Sequence, residues 1–69
     1  MEEIFFIIED EPEGGYTAHA LGHSIITQGE TIEDIKKNIN EAVSCHFDEG
    51  SGPYLVHMRF VHEESFTCA

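Results

Sequence analysis

Gly14-Gly15-Tyr16-Thr17-Ala18-His19-Ala20-Leu21-Gly22-His23-Ser24-Ile25-Ile26-Thr27-Gln28-Gly29-Glu30-Thr31-Ile32-Glu33-Asp34 reads as a turn, two strands and the start of a helix. The paired glycines can adopt the positive φ that a tight reversal needs, and Pro12 just before them presets its own φ. From Tyr16 to Leu21 the side chains alternate, with Tyr16, Ala18 and Ala20 on one face and Thr17, His19 and Leu21 on the other. The small alanines leave room for a helix to pack closely. Gly22-His23 interrupts the run, and Ser24 to Gln28 forms a short third strand carrying Ile25 and Ile26. Gly29-Glu30-Thr31 then ends the sheet and opens a helix. The Thr31 hydroxyl can accept a hydrogen bond from the free backbone N–H near Asp34. Asp34 holds the reciprocal position of a capping box, and Glu33 and Asp34 favour the positive end of the helix dipole.

Downstream, Ile32, Ile35, Ile39, Ala42, Val43 and Phe47 recur at three-four spacing, which predicts an amphipathic helix over 32–47. Glu33 with Lys37, and Lys37 with Glu41, are spaced for weak ion pairs on its outer face. Asp48 to Pro53 stops the helix, with Gly50 the candidate left-handed residue past its end. Tyr54, Val56, Met58 and Phe60 alternate with Leu55, His57, Arg59 and Val61 in a last strand. Residues from Glu63 onward read as a frayed tail. Upstream, Ile4 to Ile8 is an apolar run bounded by acids, expected as a central strand covered on both faces. The elements expected are strands over 3–9, 16–21, 24–28 and 54–62 and one helix, a single α+β domain over 1–69. Its form is a two-layer sandwich, β-β-β-α-β, with a mainly antiparallel sheet of three or four strands. One helix covers one face of that sheet. The other would carry apolar residues of the first strand, Leu21 or Ile26, and part of the last strand, so a homo-oligomer or another partner is expected to cover them.

The chain has 69 residues and room for one small core. Its 41% hydrophobic content is too high for a disordered segment. No apolar run is long enough to span a membrane, and Met1-Glu2-Glu3 lacks the basic start of a signal peptide; a cytoplasmic location is expected. Cys45 and Cys68 fit a reducing compartment, Cys45 as a small packing residue on the helix and Cys68 in solvent. Fourteen acids stand against Lys36, Lys37 and Arg59, a net charge of −11. Such a surface repels nucleic acid and suits a basic protein approached under electrostatic steering.

Catalytic chemistry finds no foothold. Of His19, His23, His46, His57 and His62, the first two flank a turn and the last two lie at opposite ends of one strand; no pair has the helical i, i+4 spacing of a metalloprotease motif, and no Cys-x-x-Cys accompanies them. Glu9, Asp10, Glu11 and Glu13 lie in a loop and Glu30, Glu33, Asp34 and Glu41 on helix ends or faces, solvated positions rather than the apolar pocket that general acid–base work needs. Ser24, Ser44, Ser51 and Ser65 lack a nucleophile-elbow context, and the glycine pairs lack a phosphate-loop lysine. His57 with Arg59 could form a small polar site, but two residues define no reaction. The expectation is a binding module, not an enzyme, without cofactor or metal.

In order and spacing, Ile4 to Ile8, Gly14-Gly15-Tyr16-Thr17-Ala18 and Thr27-Gln28-Gly29-Glu30-Thr31 together resemble the N-terminal domain of the HicB-like antitoxins, over about residues 3–47 and more loosely the last strand. Three departures stand out. The family's Leu-Pro-Gly becomes Leu21-Gly22-His23-Ser24, its Glu-Glu-Ala helix start becomes Glu33-Asp34-Ile35, and no DNA-binding module follows, so operator binding is not implied. What the resemblance implies is a module that neutralises a small basic ribonuclease toxin of the HicA type. Glu9, Asp10, Glu11 and Glu13 are the candidate electrostatic contacts. The alternative is a solitary homo-oligomeric HicB-like protein with a regulatory or ligand-binding role.

Overall fold

The computed structural model describes residues 2–47 and 53–68. The elements are β1 (Glu2–Asp10), β2 (Tyr16–Ala20), β3 (Ile26–Gly29), α1 (Ile32–His46) and β4 (Tyr54–Val61). The expected α+β fold is present, as a four-stranded mixed sheet with one helix. Strand order is β3-β2-β1-β4. β1–β2 and β2–β3 are antiparallel, while β4 runs parallel to β1. α1 provides the crossover that a parallel return requires. β1 is central, as its apolar run suggested.

The β1–β2 reversal is closed at both levels. Gly14 N–H donates to Glu11 O at 3.0 Å, and Glu11 N–H donates to Gly15 O at 3.0 Å. Gly14 and Gly15 take φ of 105° and 82°, conformations that cost little only without a Cβ. At the sheet-to-helix junction Thr31 is the N-cap, its hydroxyl accepting from Asp34 N at 3.1 Å, an interaction worth about 1 kcal/mol. Asn38 Nδ2 donates to Gln28 O at 2.6 Å and ties the helix to β3.

Register places Ile4, Phe6 and Ile8 of β1 with Ala18 and Ala20 of β2 on the helix side. Ile35, Ile39 and Val43 of α1 close over them, and each buried aliphatic side chain contributes about 1.5–3 kcal/mol. The two alanines sit beneath the helix as their size suggested.

Several expectations are corrected. β2 stops at Ala20 and β3 begins at Ile26, because Gly22 turns the chain with φ 81° and Ala20 N–H bonds to Ile25 O at 3.0 Å. Ile25 therefore precedes the strand and is buried under the helix, while Ile26 points the other way and is 76% exposed. β4 ends at Val61, and α1 ends at His46 with Phe47 as its cap. Ile32 lies at the helix edge rather than in the core, and Cys45 faces solvent instead of packing. The Glu33–Lys37 and Lys37–Glu41 pairs do not form. Among the described residues every ion pair involves a histidine, as long exposed side chains gain little by pairing in water. Gly50, the expected left-handed residue, lies outside the described residues.

The first strand is covered on one face only. Phe5 and Ile7 project to the helix-free side and are only partly buried.

Candidate protein interface

Chain direction sorts the charge. The C-terminal end of β1, the start of β2, the end of β3, the first turn of α1 and the end of β4 all meet at one pole of the molecule. Glu9, Asp10, Glu11 and Glu13 come there from the first hairpin, Glu30, Glu33 and Asp34 from the β3–α1 junction, and Glu63 and Glu64 from the residues after β4. Nine of the fourteen acids thus share one end. An open hollow of about 200 Å³ lies between Glu11, Tyr16, Gly29 and Glu30 at this pole.

The four acids singled out from the sequence do not share one face. Glu9 points to the helix-free side, where its Oε1 lies 3.6 Å from His19 Nε2. Asp10 Oδ2 lies 3.3 Å from His62 Nδ1. Glu11 Oε1 accepts from the Thr17 hydroxyl, and Glu13 is exposed in the turn. His62 also reaches Glu64 Oε1 at 3.2 Å. Its pKa is raised above the ordinary histidine value by the hydrogen bond to Asp10 first and that to Glu64 second, against a small desolvation effect. A raised histidine stabilises the folded form below about pH 6.5, and that contribution fades as pH rises through the higher folded-state value.

The opposite pole is aromatic. His23 lies 5.9 Å from His46 and 5.2 Å from Phe47, ring centre to ring centre. Phe47 also packs on Tyr54 at 4.8 Å. The turn after β2, the end of α1 and the start of β4 build this cluster, and nothing in the linear spacing of the histidines signals it.

Between the poles lies the helix-free face of the sheet. Rows read across it are Leu55 and Glu3; His57, Phe5 and Leu21; Arg59, Ile7, His19 and Ile26; then Val61, Glu9, Thr17 and Gln28. Phe5 stacks on His57 with ring centres 4.3 Å apart and planes 8° from parallel. The Arg59 guanidinium sits 5.0 Å from the Phe5 ring centre, a cation–π contact. His57 Nε2 and Glu3 Oε1 are 2.7 Å apart, a pair formed by residues 54 apart in sequence. His57 and Arg59 do share one strand face, as their spacing suggested. Parallel pairing of β4 with β1 then adds Glu3 and Phe5 to them, which the pattern of a single strand could not show.

Leu21, Ile26, Leu55 and Val61 on this face are 48%, 76%, 45% and 48% exposed. Apolar side chains thus lie open on this face, with His19, His57 and Arg59 among them and Glu3 and Glu9 beside them. No buried polar side chain lacks a partner among the described residues. No three metal-ligating side chains among them converge, and no helix among them is long and apolar enough to cross a membrane.

Comparison with known proteins gives two relatives. A UPF0150 protein of Archaeoglobus fulgidus is 47% identical over 55 residues, spanning 80% of this chain and 82% of the relative. A UPF0150 protein of Thermotoga maritima is 47% identical over 62 residues, spanning 90% and 87%. No family model matches the chain. No solved structure matches it either.

Proposed function

The chain belongs to the UPF0150 protein family, and we propose that it is a small acidic protein-binding module that neutralises a basic ribonuclease toxin of the HicA type. The gathering of nine acids at one pole carries this reading. Focused negative potential of this kind speeds the approach of a cationic partner and fixes its orientation. Covering the active surface of a small ribonuclease needs no catalytic group on the inhibitor, and the pole supplies exposed carboxylates for it. The resemblance of Gly14-Gly15-Tyr16 and Thr27 to Thr31 to the HicB-like antitoxins supports the same role.

The test is association with a HicA-type ribonuclease at several salt concentrations. Changing Glu9, Asp10, Glu11 and Glu13 to lysine moves the net charge from −11 to −3, four reversals of two units each. Association at low salt should slow by roughly tenfold or more, and its salt dependence should flatten. All four residues are exposed, so the circular dichroism spectrum should not change. An unchanged rate and salt slope would place recognition on another surface.

A second reading, a homo-oligomer with a regulatory or ligand-binding role, is favoured by one observation: Ile26 and its neighbours leave the helix-free face apolar and open.

A further inference from the structure

We propose that the helix-free face is covered by a second copy of this chain, stacked with its strands antipolar to the first. In that arrangement the arm 62–68 of each copy crosses the aromatic pole of the other. The inference goes beyond toxin binding and does not depend on it.

The helix-free face supplies the first observation. Phe5, Ile7, Leu21 and Ile26 are its apolar side chains, with His19 between Ile7 and Ile26 and the Arg59 guanidinium over the Phe5 ring, while Glu3 and Glu9 on the same face are already occupied by His57 and His19. Two such faces can meet without leaving a carboxylate unpaired in the centre. Charge then selects the direction. Stacking with like poles together would bring the two acidic poles to the same end of the dimer, and like charges brought together disfavour a complex. Antipolar stacking sets each acidic pole over the His23–His46–Phe47–Tyr54 end of the other copy, where the described acids are Glu2 and Glu3 of β1 and Glu41 in the C-terminal half of α1.

Area and shape supply the next observations. Four strands about 4.8 Å apart and about seven residues long give a face of roughly 400–500 Å². A stable interface buries about 800 Å² per partner, so the sheets alone fall short. The arm can make up the difference. The molecule measures 56 × 20 × 17 Å, and residues 62–68 after β4 are all exposed. Asp10 and Glu64 hold His62 at its root and set the exit direction. Phe66 on this arm is 89% exposed, the most exposed of the large apolar side chains among the described residues. In the antipolar stack it leaves the acidic pole of its own chain beside the aromatic pole of the other. There Phe66 meets Phe47 and Tyr54, and Glu63 and Glu64 meet His23 and His46. The hairpin tip and the helix start lie away from the stacked faces, so the dimer keeps two acidic poles open.

The two free cysteines provide the test, since Cys45 lies near the aromatic pole and Cys68 near the arm's end. Within one chain they stand at opposite ends of the long axis. A short bis-maleimide added to the full chain should therefore link Cys45 of one copy to Cys68 of the other. Mixing Cys45→Ser and Cys68→Ser chains should restore a cross-linked dimer that neither forms alone. In sedimentation, Phe66→Ala should weaken the dimer by about tenfold per arm, roughly a hundredfold for the pair. Ile26→Glu, at an exposed site that folding tolerates, should give monomers. Added salt should tighten the dimer by screening its net charge, opposite to its effect on a basic partner. Linkage of Cys68 to Cys68 in the Cys45→Ser chain, or a wild-type monomer at tens of micromolar, would overturn the proposal. Inhibition of a ribonuclease by a monomeric Ile26→Glu chain would leave the toxin reading standing alone, which separates the two.

Discussion

Phe6→Ala should leave much of the population unfolded at room temperature. Phe6 is fully buried, paired in register with Ala20 on one side and Met58 on the other. Its β2 neighbours on the helix side are the alanines Ala18 and Ala20, which leaves Met58 of β4 as the one long side chain beside it in the register. Large-to-small changes at such sites cost about 3–5 kcal/mol. A domain of this size has a total stability of roughly 3–10 kcal/mol. The urea midpoint should fall toward zero, with loss of helical circular dichroism in buffer. A loss below about 1 kcal/mol would mean that the helix–sheet layer is not centred on this ring.

The second large effect is expected at Gly29→Val. A Cβ at Gly29 would lie 2.8 Å from Ile35 N and 3.1 Å from Asp34 C, both backbone atoms of the first helical turns. The backbone of Gly29 is not in the left-handed region, so the constraint is proximity rather than conformation. Glycine here lets the start of α1 rest directly on the end of β3. Valine must push the helix away and disturb the Thr31 cap and the Asn38–Gln28 bond, at a cost of about 3 kcal/mol, the upper end for overpacking. Gly14→Ala is the control. Its Cβ would meet nothing within 4 Å, yet its φ of 105° should still cost about 1 kcal/mol. Equal midpoints for Gly29→Val and wild type in urea denaturation would contradict the close helix–strand contact.

Gly29 also shows where sequence reading succeeds and where it stops. Its position between a short strand and a threonine cap marked the junction, because turn and cap chemistry are local. That its missing side chain makes room for Ile35 is a contact between elements, and no periodicity encodes it. The same division holds for the surfaces. Alternation along β2 and β4 separated His19 and Leu21 from Ala18 and Ala20, and His57 and Arg59 from Val56 and Met58. The helix-free face was thus legible in outline. Its composition was not, since the parallel return of β4 brings His57 to Glu3, and Ile25 and Ile26 part company at the start of β3. Acidity was visible in the residue count, with Glu9 to Glu13 as its densest run. The convergence of Glu30, Glu33, Asp34, Glu63 and Glu64 on the same pole follows from strand direction, which only the assembled sheet reveals.

Protein binding through the acidic pole is the central claim, and ribonuclease inhibition tests it most directly. A small basic ribonuclease of the HicA type is titrated with the full chain at low salt while cleavage of a single-stranded RNA is followed. Inhibition should reach completion at a fixed stoichiometry and should weaken as salt is raised. RNA cleavage that proceeds at the same rate with a molar excess of the chain would contradict the account.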